Sequence, residues 1–476
     1  MNKIHNIARN TSYLTLALIL QKIISFSYFI ILTRALGLEV MGQYYAAISF
    51  TTIFAIFIDL GFANTLTREV AKDQNQAKSW LGNVVALKIP LAALTLLVAI
   101  LTAWLFGYDN LAFELILISS ISMVLDSFTT TFFATIRGFH NLKYESISSV
   151  IFQLIVLSLG YLALLNGFGV RVAMAVLAIA SIFNFVYSFL ILKYRINLKW
   201  KPLFQKSFIQ NIFRISWPFA LFAISQRLYL YLDSVMISIL ANYHQVGVYQ
   251  IAFKIIFALQ FLPMAFTASL YPAMSSYWIS NKEQLVKSFE RAMNYLIMIS
   301  LPIIGGVIAL DDKIVEIFKA GGEAVWPLRI SILALFFIFV NFPIGSLLNA
   351  CDRQRKNFLF MVSVTIISVI LNFILIPKFE AIGASITVLV TNFIMFILGI
   401  REAKKIIPYN FKKNLSTLGK SLWAAAVMAM IVFYGKNYIH IILATILGGI
   451  LYFIFLYLVR GFRKEDLRSI YQSFKR

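Results

Sequence analysis

The chain has 476 residues, of which 60% are hydrophobic and only 13% charged, with 42 Lys and Arg against 20 Asp and Glu. Soluble globular domains carry about 25% charged residues, so a water-soluble fold is excluded, and a mean hydropathy of +0.83 argues against reading the net charge of +22 as a nucleic-acid footprint. The single cysteine, Cys351, forbids an intrachain disulfide and offers no metal cluster.

A membrane-spanning helix needs about 20 largely apolar residues, and the sequence predicts fourteen. They run near 11–32, 41–63, 83–106, 111–136, 147–166, 170–192, 215–240, 247–274, 289–310, 326–349, 357–376, 381–400, 418–435 and 438–459. The first is too long for a signal-peptide core and reads as a retained span. The expected fold is therefore all-α and polytopic.

Charge counting orients the spans. The face that holds both termini carries 31 Lys and Arg; the opposite loops carry six, namely Arg34, Arg171, Lys313, Lys319, Lys378 and Lys436. The basic face is expected to be cytoplasmic. Six of the seven Trp, at 80, 104, 217, 278, 326 and 423, fall near span ends, as an aromatic belt would place them; Trp200 is the exception. The longest external loop, from Asp311 to Val325, is about fifteen residues.

Motifs for soluble chemistry are missing. Gly419-Lys-Ser421 has no glycine five residues ahead of it, so there is no Walker loop, and neither H-E-x-x-H nor a nucleophile elbow occurs. His5, His140, His244 and His440 sit in tails, loops or span ends and read as solvated. No catalytic residue, metal or enzymatic activity is expected.

The chain repeats itself. Gly42-Gln-Tyr44-Tyr-Ala-Ala47 and Gly247-Val-Tyr249-Gln-Ile-Ala252 share G-x-Y-x-x-A at an offset of 205, and the same offset sets Gln21-Lys22 on Gln226-Arg227. A looser match, offset near 212, sets Gly138–Lys143 beside Ala350–Arg355. Six spans separate the copies, which implies a parallel repeat about an axis normal to the membrane. The expected organisation is a lobe over 1–194 and a connector over 195–214. A second lobe over 215–406 follows, with spans 13 and 14 and a basic tail over 407–476. The connector, with Leu203, Phe204, Phe208, Ile209, Ile212 and Phe213 as apolar positions, and the tail beyond Arg460 both read as amphipathic segments for the headgroup region.

Thr33-Arg-Ala-Leu-Gly37, Gly42-Gln-Tyr44, Asp59-Leu-Gly61-Phe-Ala-Asn64 and Arg68-Glu-Val-Ala71 resemble the polysaccharide exporter, or Wzx-type flippase, family. So do Asp233-Ser-Val-Met, Gly247 to Lys254 and Leu270-Tyr-Pro272-Ala-Met. That family belongs to a superfamily with multidrug (MATE) antiporters and lipid II flippases. The resemblance implies transport of undecaprenyl-diphosphate-linked oligosaccharide units to the outer leaflet of a bacterial cytoplasmic membrane, for O-antigen or capsule assembly. It also implies contact with other glycan-assembly membrane proteins, while the basic face suits anionic phospholipids.

Five cations fall inside spans: Lys22, Lys88, Arg227, Lys254 and Arg329. Each costs roughly 2.5–3.5 kcal/mol if it faces lipid, so they are expected to line a cavity or meet a partner. With Gln21 and Gln226 they are the candidate substrate-binding residues, Arg offering a bidentate fork to phosphate and Lys a mobile point charge. Snorkelling competes for Lys88 and Arg329, and an ion pair with Asp233 competes for Lys254. Asp59, Asp126 and Asp233 are the candidate sites for a coupling proton or sodium ion, and Asp59 has the alternative of pairing with Arg68 or a backbone donor. Pro218, Pro263, Pro302 and Pro343 against Pro90 alone predict more bending in the second lobe. A multidrug antiporter or a lipid II-type flippase is the alternative within transport, and a glycan polymerase the alternative outside it. The cation excess in the spans favours an anionic substrate, and the missing large loop disfavours a polymerase.

Overall fold

A computed structural model describes residues 2–409 and 411–461, with the backbone alone for residues 2–15, 269, 411 and 413. The basic tail beyond 461 lies outside the described residues, as do the side chains of Lys3, His5 and Arg9. Among the described residues the chain is helical and forms no strand. In hydrocarbon every backbone N–H and C=O must be paired within its own segment, and a helix does this. The helices are α1 (Asn2–Asp59), α2 (Phe62–Lys72), α3 (Ala77–Leu105), α4 (Asn110–Gly138), α5 (Lys143–Leu165), α6 (Val170–Leu190), α7 (Lys206–Leu240) and α8 (Tyr243–Leu259). They continue with α9 (Phe261–Ser280), α10 (Lys282–Ala309), α11 (Asp311–Ile317), α12 (Val325–Ala350), α13 (Gln354–Ile406), α14 (Phe411–Gly435) and α15 (Ile441–Leu458).

Among the described residues, eleven helical segments are long and apolar enough to cross a membrane. The fourteen expected spans do not each have a helix of their own. Spans 1 and 2 share α1, broken at Gly37 with φ 78° and ψ 172°, and spans 11 and 12 share α13, broken at Glu380 with φ 50°. Span 7 falls on α7, which is outside the eleven. Gly37 ends the Thr33-Arg-Ala-Leu-Gly motif, so one role of that motif is to reverse the chain where only glycine sits at positive φ without strain. Span 8 is interrupted at Gln260, three residues ahead of Pro263, where proline cannot continue the hydrogen-bond ladder of a preceding turn. Leu97, Leu101, Ile366 and Ile450 are each about half exposed, as lipid-facing side chains would be.

The chain divides into two compact units, Met1–Gln250 with Asn372–Ala381 and Ile251–Leu371 with Ile382–Arg476. In the first, α4 packs on α1, α2, α3 and α6. Phe62, Leu66, Trp80 and Ile212 form one core where α2, α3 and α7 meet, and Leu81, Phe132, Phe133 and Leu192 form another. In the second, α10 packs on α12 and α14 around Phe289, Leu347, Met428 and Tyr452.

Two expectations are corrected here. Trp80 is only 7% exposed and packs edge-on against Phe208, so it belongs to a core rather than an aromatic belt. The connector, expected in the headgroup region, packs in part on protein. Residues 196–205 form no helix, Leu203 N–H donates to Gly82 O at 3.1 Å, and Gln205 N–H donates to Asn83 Oδ1 at 2.7 Å. Its remaining residues are the first turns of α7, where Phe208, Ile209 and Ile212 bury against α2 and α3. Packing on protein removes more apolar surface from water than lying in the headgroups does; Phe204, at 76% exposure, stays outside.

The residues matched in sequence have similar local geometry. Tyr44 and Tyr249 are each 2% exposed, and Ala47 and Ala252 are each fully buried. His140 and Asp352, equivalent in the looser match, both take a left-handed φ, 57° and 61°.

Candidate functional site

Polar residues in α4 recur at Ser119, Ser122, Asp126 and Thr130, spacings of three and four that place them on one helix face. On α1, Thr51, Ala55 and Asp59 stand four residues apart on one face, with Thr52 beside them. These two stripes, with Leu177 of α6 and Arg227 of α7, line a cavity of about 160 Å³ in the first unit. Thr51 and Ser119 share a hydrogen bond at 2.7 Å, and the Thr130 hydroxyl donates to its own helix at Asp126 O. Arg227 is exposed, and its Nη1 donates to Thr52 O at 3.3 Å.

Asp59 meets Lys88 at 2.9 Å. The Lys88 ammonium also donates to Ser127 O at 2.8 Å and Thr131 Oγ1 at 2.7 Å, and the residue is fully buried. All three of its donors are used, so Lys88 does not snorkel and has no proton left for a substrate. Its expected place among the substrate-binding residues is corrected to that of a structural partner of Asp59. Asp59 does not turn to Arg68, which lies 3.5 Å from Glu69. Arg329 is likewise committed: its Nε donates to buried Asp311, and its guanidinium lies 5.1 Å from the Trp326 ring centroid. It is placed at the end of α12, in an ion pair that the spacing did not suggest.

Asp233 is 3% exposed. Its carboxylate accepts from Tyr249 Oη at 2.8 Å and Asn372 Nδ2 at 2.6 Å, while Gln250 Nε2 donates to Ser234 Oγ at 2.8 Å. The Tyr of the repeated G-x-Y motif thus serves the α7 carboxylate, a role sequence reasoning missed. Gln21 and Lys22 on α1 and Lys254 on α8 are half-buried, and Gln226 on α7 is exposed.

A second, shallower pocket of about 490 Å³ lies in the second unit between α11 and the turn before α15, lined by Lys313, Lys436, Tyr438 and His440 among others. Asp312 pairs with Lys436 at 2.7 Å. Partial burial pushes the Asp312 carboxyl up, but hydrogen bonds from Lys436 and from the Lys313 N–H outweigh it and hold the group below its ordinary range. The lining carries Lys313 and Lys436 against one acid, Glu316.

Residues 7–278 match the family described as "Polysaccharide biosynthesis protein", more than half of the chain. The chain belongs to this family. In this polysaccharide biosynthesis protein, residues 218–376 also match the MatE family. "Probable flippase AglR" of Haloferax volcanii is 26% identical over 258 residues, so the chain spans 54% of that relative's length. A second flippase of the same organism, described as probable and acting in low-salt glycan biosynthesis, is 20% identical over 91% of this chain and 90% of its own. The capsular polysaccharide biosynthesis protein CapF of Staphylococcus aureus is 21% identical over 82% of this chain and 97% of its own. Among solved structures, the lipid II flippase MurJ in an inward closed conformation superposes with a TM-score of 0.75 at 16% identity, covering 93% of this chain and 97% of that one. An inward-facing multidrug MATE transporter gives 0.64 at 14% identity, covering 81% and 95%. These likenesses establish a MurJ- and MATE-type fold for this polysaccharide biosynthesis protein.

Proposed function

We propose that this polysaccharide biosynthesis protein flips polyprenyl-diphosphate-linked oligosaccharide units from the cytoplasmic to the outer leaflet by alternating access. The observation that carries the reading is the family match over 7–278, supported by relatives named as flippases. Lys22 and Arg227, related by the duplication, meet the diphosphate, with Gln21, Gln226 and Lys254 beside the glycan. Both termini lie in the cytoplasm, the chain crosses fourteen times, and the basic face rests on anionic phospholipid. A proton or sodium ion supplies the driving force. Asp59 is the weakest of the three coupling candidates, because Lys88 already neutralises it.

Replacing both Lys22 and Arg227 with Ala in a strain dependent on this protein is expected to abolish surface glycan and accumulate lipid-linked repeats in the cytoplasm. Intact export by the double variant rejects the pair. A second reading, an ion-coupled multidrug antiporter, draws on the MatE match over 218–376. Its cationic substrates would meet five basic against three acidic residues in the spans, which disfavours it. Drug resistance conferred without any glycan phenotype would reverse that order.

A further inference from the structure

The second unit carries a pocket that the transport reading does not use. It lies where α11 meets the turn between α14 and α15, and its volume is about 490 Å³. That falls within the roughly 300–1,000 Å³ of sites that hold small molecules. None of its lining residues is among those proposed to meet the diphosphate or the glycan during transport.

The wall of the pocket is held from behind. Lys436, 9% exposed at its side chain, is pinned by Asp312 at 2.7 Å, and its ammonium lies 4.4 Å from the Phe433 ring centroid. Asp312 in turn accepts from the Lys313 N–H at 2.9 Å. Tyr438 N–H donates to Gly435 O at 3.0 Å, and His440 Nδ1 accepts from Ile442 N–H at 3.4 Å, capping α15. A wall fixed before its ligand arrives lowers the ordering cost of binding.

The groups on the open side are uncommitted. Lys313 Nζ stands 3.9 Å from Glu316 Oε2, beyond a hydrogen bond. Among the described residues the Asn437 amide and the Tyr438 hydroxyl have no hydrogen-bond partner, and Tyr438 is 88% exposed. With Nδ1 in use as an acceptor, the neutral His440 ring carries its proton on Nε2.

Donors and acceptors are therefore mixed. Lys313, the Asn437 amide nitrogen and His440 Nε2 give protons, Glu316 and Asn437 Oδ1 take them, and the Tyr438 hydroxyl does both. Asp312 already neutralises Lys436, which leaves one charge of each sign, Lys313 and Glu316. An anion is repelled by the one and a cation by the other. A polyol, each of whose hydroxyls donates and accepts, uses the whole set, and the electron-rich face of the Tyr438 ring attracts the C–H face of a sugar ring. We infer that this pocket binds a saccharide unit, with Tyr438 as the stacking platform and Lys313, Glu316, Asn437 and His440 as the hydrogen-bonding partners.

The inference rests on the transport reading only for the source of the sugar. In the orientation proposed above, α11 and the turn between α14 and α15 lie on the outer face. The pocket then meets the glycan after its passage, on its lipid or released from it.

The test uses the full chain in phosphatidylcholine nanodiscs, free of sugar-headed detergent. Saturation-transfer NMR is recorded with glucose, galactose, N-acetylglucosamine and glucuronate in turn, against empty discs. Transfer to the ring protons of at least one sugar is expected, reduced several-fold in Y438A and in E316A and largely kept in Y438F, which retains the ring. The site is rejected if no sugar exceeds the empty discs, or if Y438A gives the same transfer as the native chain. Displacement of a neutral sugar by equimolar sodium phosphate marks an anion site and rejects it too. If Y438A does not fold, transfer in E316A equal to that of the native chain rejects the site instead. A glycolipid bearing the responding sugar, added to the discs, separates the sources: it quenches the free-sugar signal if lipid-borne glycan reaches the pocket and leaves it if only released glycan does. Binding is read without transport. A chain that binds sugar and exports no glycan overturns the flippase reading alone, and one that exports glycan and binds no sugar overturns this site alone.

Discussion

At the scale of single residues, the distinction that matters is between charges already matched and charges held open. Lys88 is matched: one carboxylate, one carbonyl and one hydroxyl accept its three protons in a fully buried position. Removing one partner of such a pair leaves an uncompensated buried charge, at about 3–5 kcal/mol. Asp59→Ala is therefore expected to lower the thermal midpoint in detergent sharply, and Asp59→Leu combined with Lys88→Met to recover most of the loss. Recovery of folding without loss of glycan export in the double variant shows the pair to be structural; loss of export with full stability assigns it to transport. Both residues were legible as intramembrane charges. Their partnership was not, because it depends on α1 and α3 meeting side by side at that depth.

At the scale of elements, the duplicated glycines mark a close helix approach. A Cβ on Gly42 would sit 1.8 Å from Tyr243 O, and one on Gly247 would sit 2.1 Å from Leu38 O. Each is in contact with backbone that has no room to give, and overpacking of this kind costs about 1–3 kcal/mol or more. Gly42→Ala is expected to lower the yield of folded protein and its thermal midpoint, and Gly247→Ala to do so comparably, read by detergent-extracted protein on gel filtration. The sequence shows the two glycines as equivalents in a repeat. That they need to be glycine follows only from the packing of α1 against the start of α8. The connector teaches the same lesson. Its apolar spacing suits a lipid surface and a protein groove equally well, and Asn83 decides between them by accepting from Gln205 N–H and donating to Gln205 Oε1. Asn83→Ala removes the acceptor of the Gln205 N–H, a net loss of about 0.5–1.5 kcal/mol. It is expected to make residues 196–205 more sensitive to protease while leaving α3 helical.

At the scale of the whole molecule, amino-acid order alone determined that this is a helical membrane protein. It also carries the G-x-Y-x-x-A match at an offset of 205 and the motifs by which the chain resembles its family. Those properties are additive over residues: transfer into lipid, charge near a span end and self-similarity require no knowledge of neighbours. The tertiary structure decided which polar residues share a space. Ser119, Ser122, Asp126 and Thr130 form a visible stripe at helical spacing, yet a stripe has a function only once Asp59 and Arg227 are brought to it from other helices. Likewise Asp233 finds Tyr249 and Asn372, the latter 139 residues away. In a medium that offers no water to unmatched groups, the energy of a charge is set by what lies within a few ångströms of it. Only folding determines that distance.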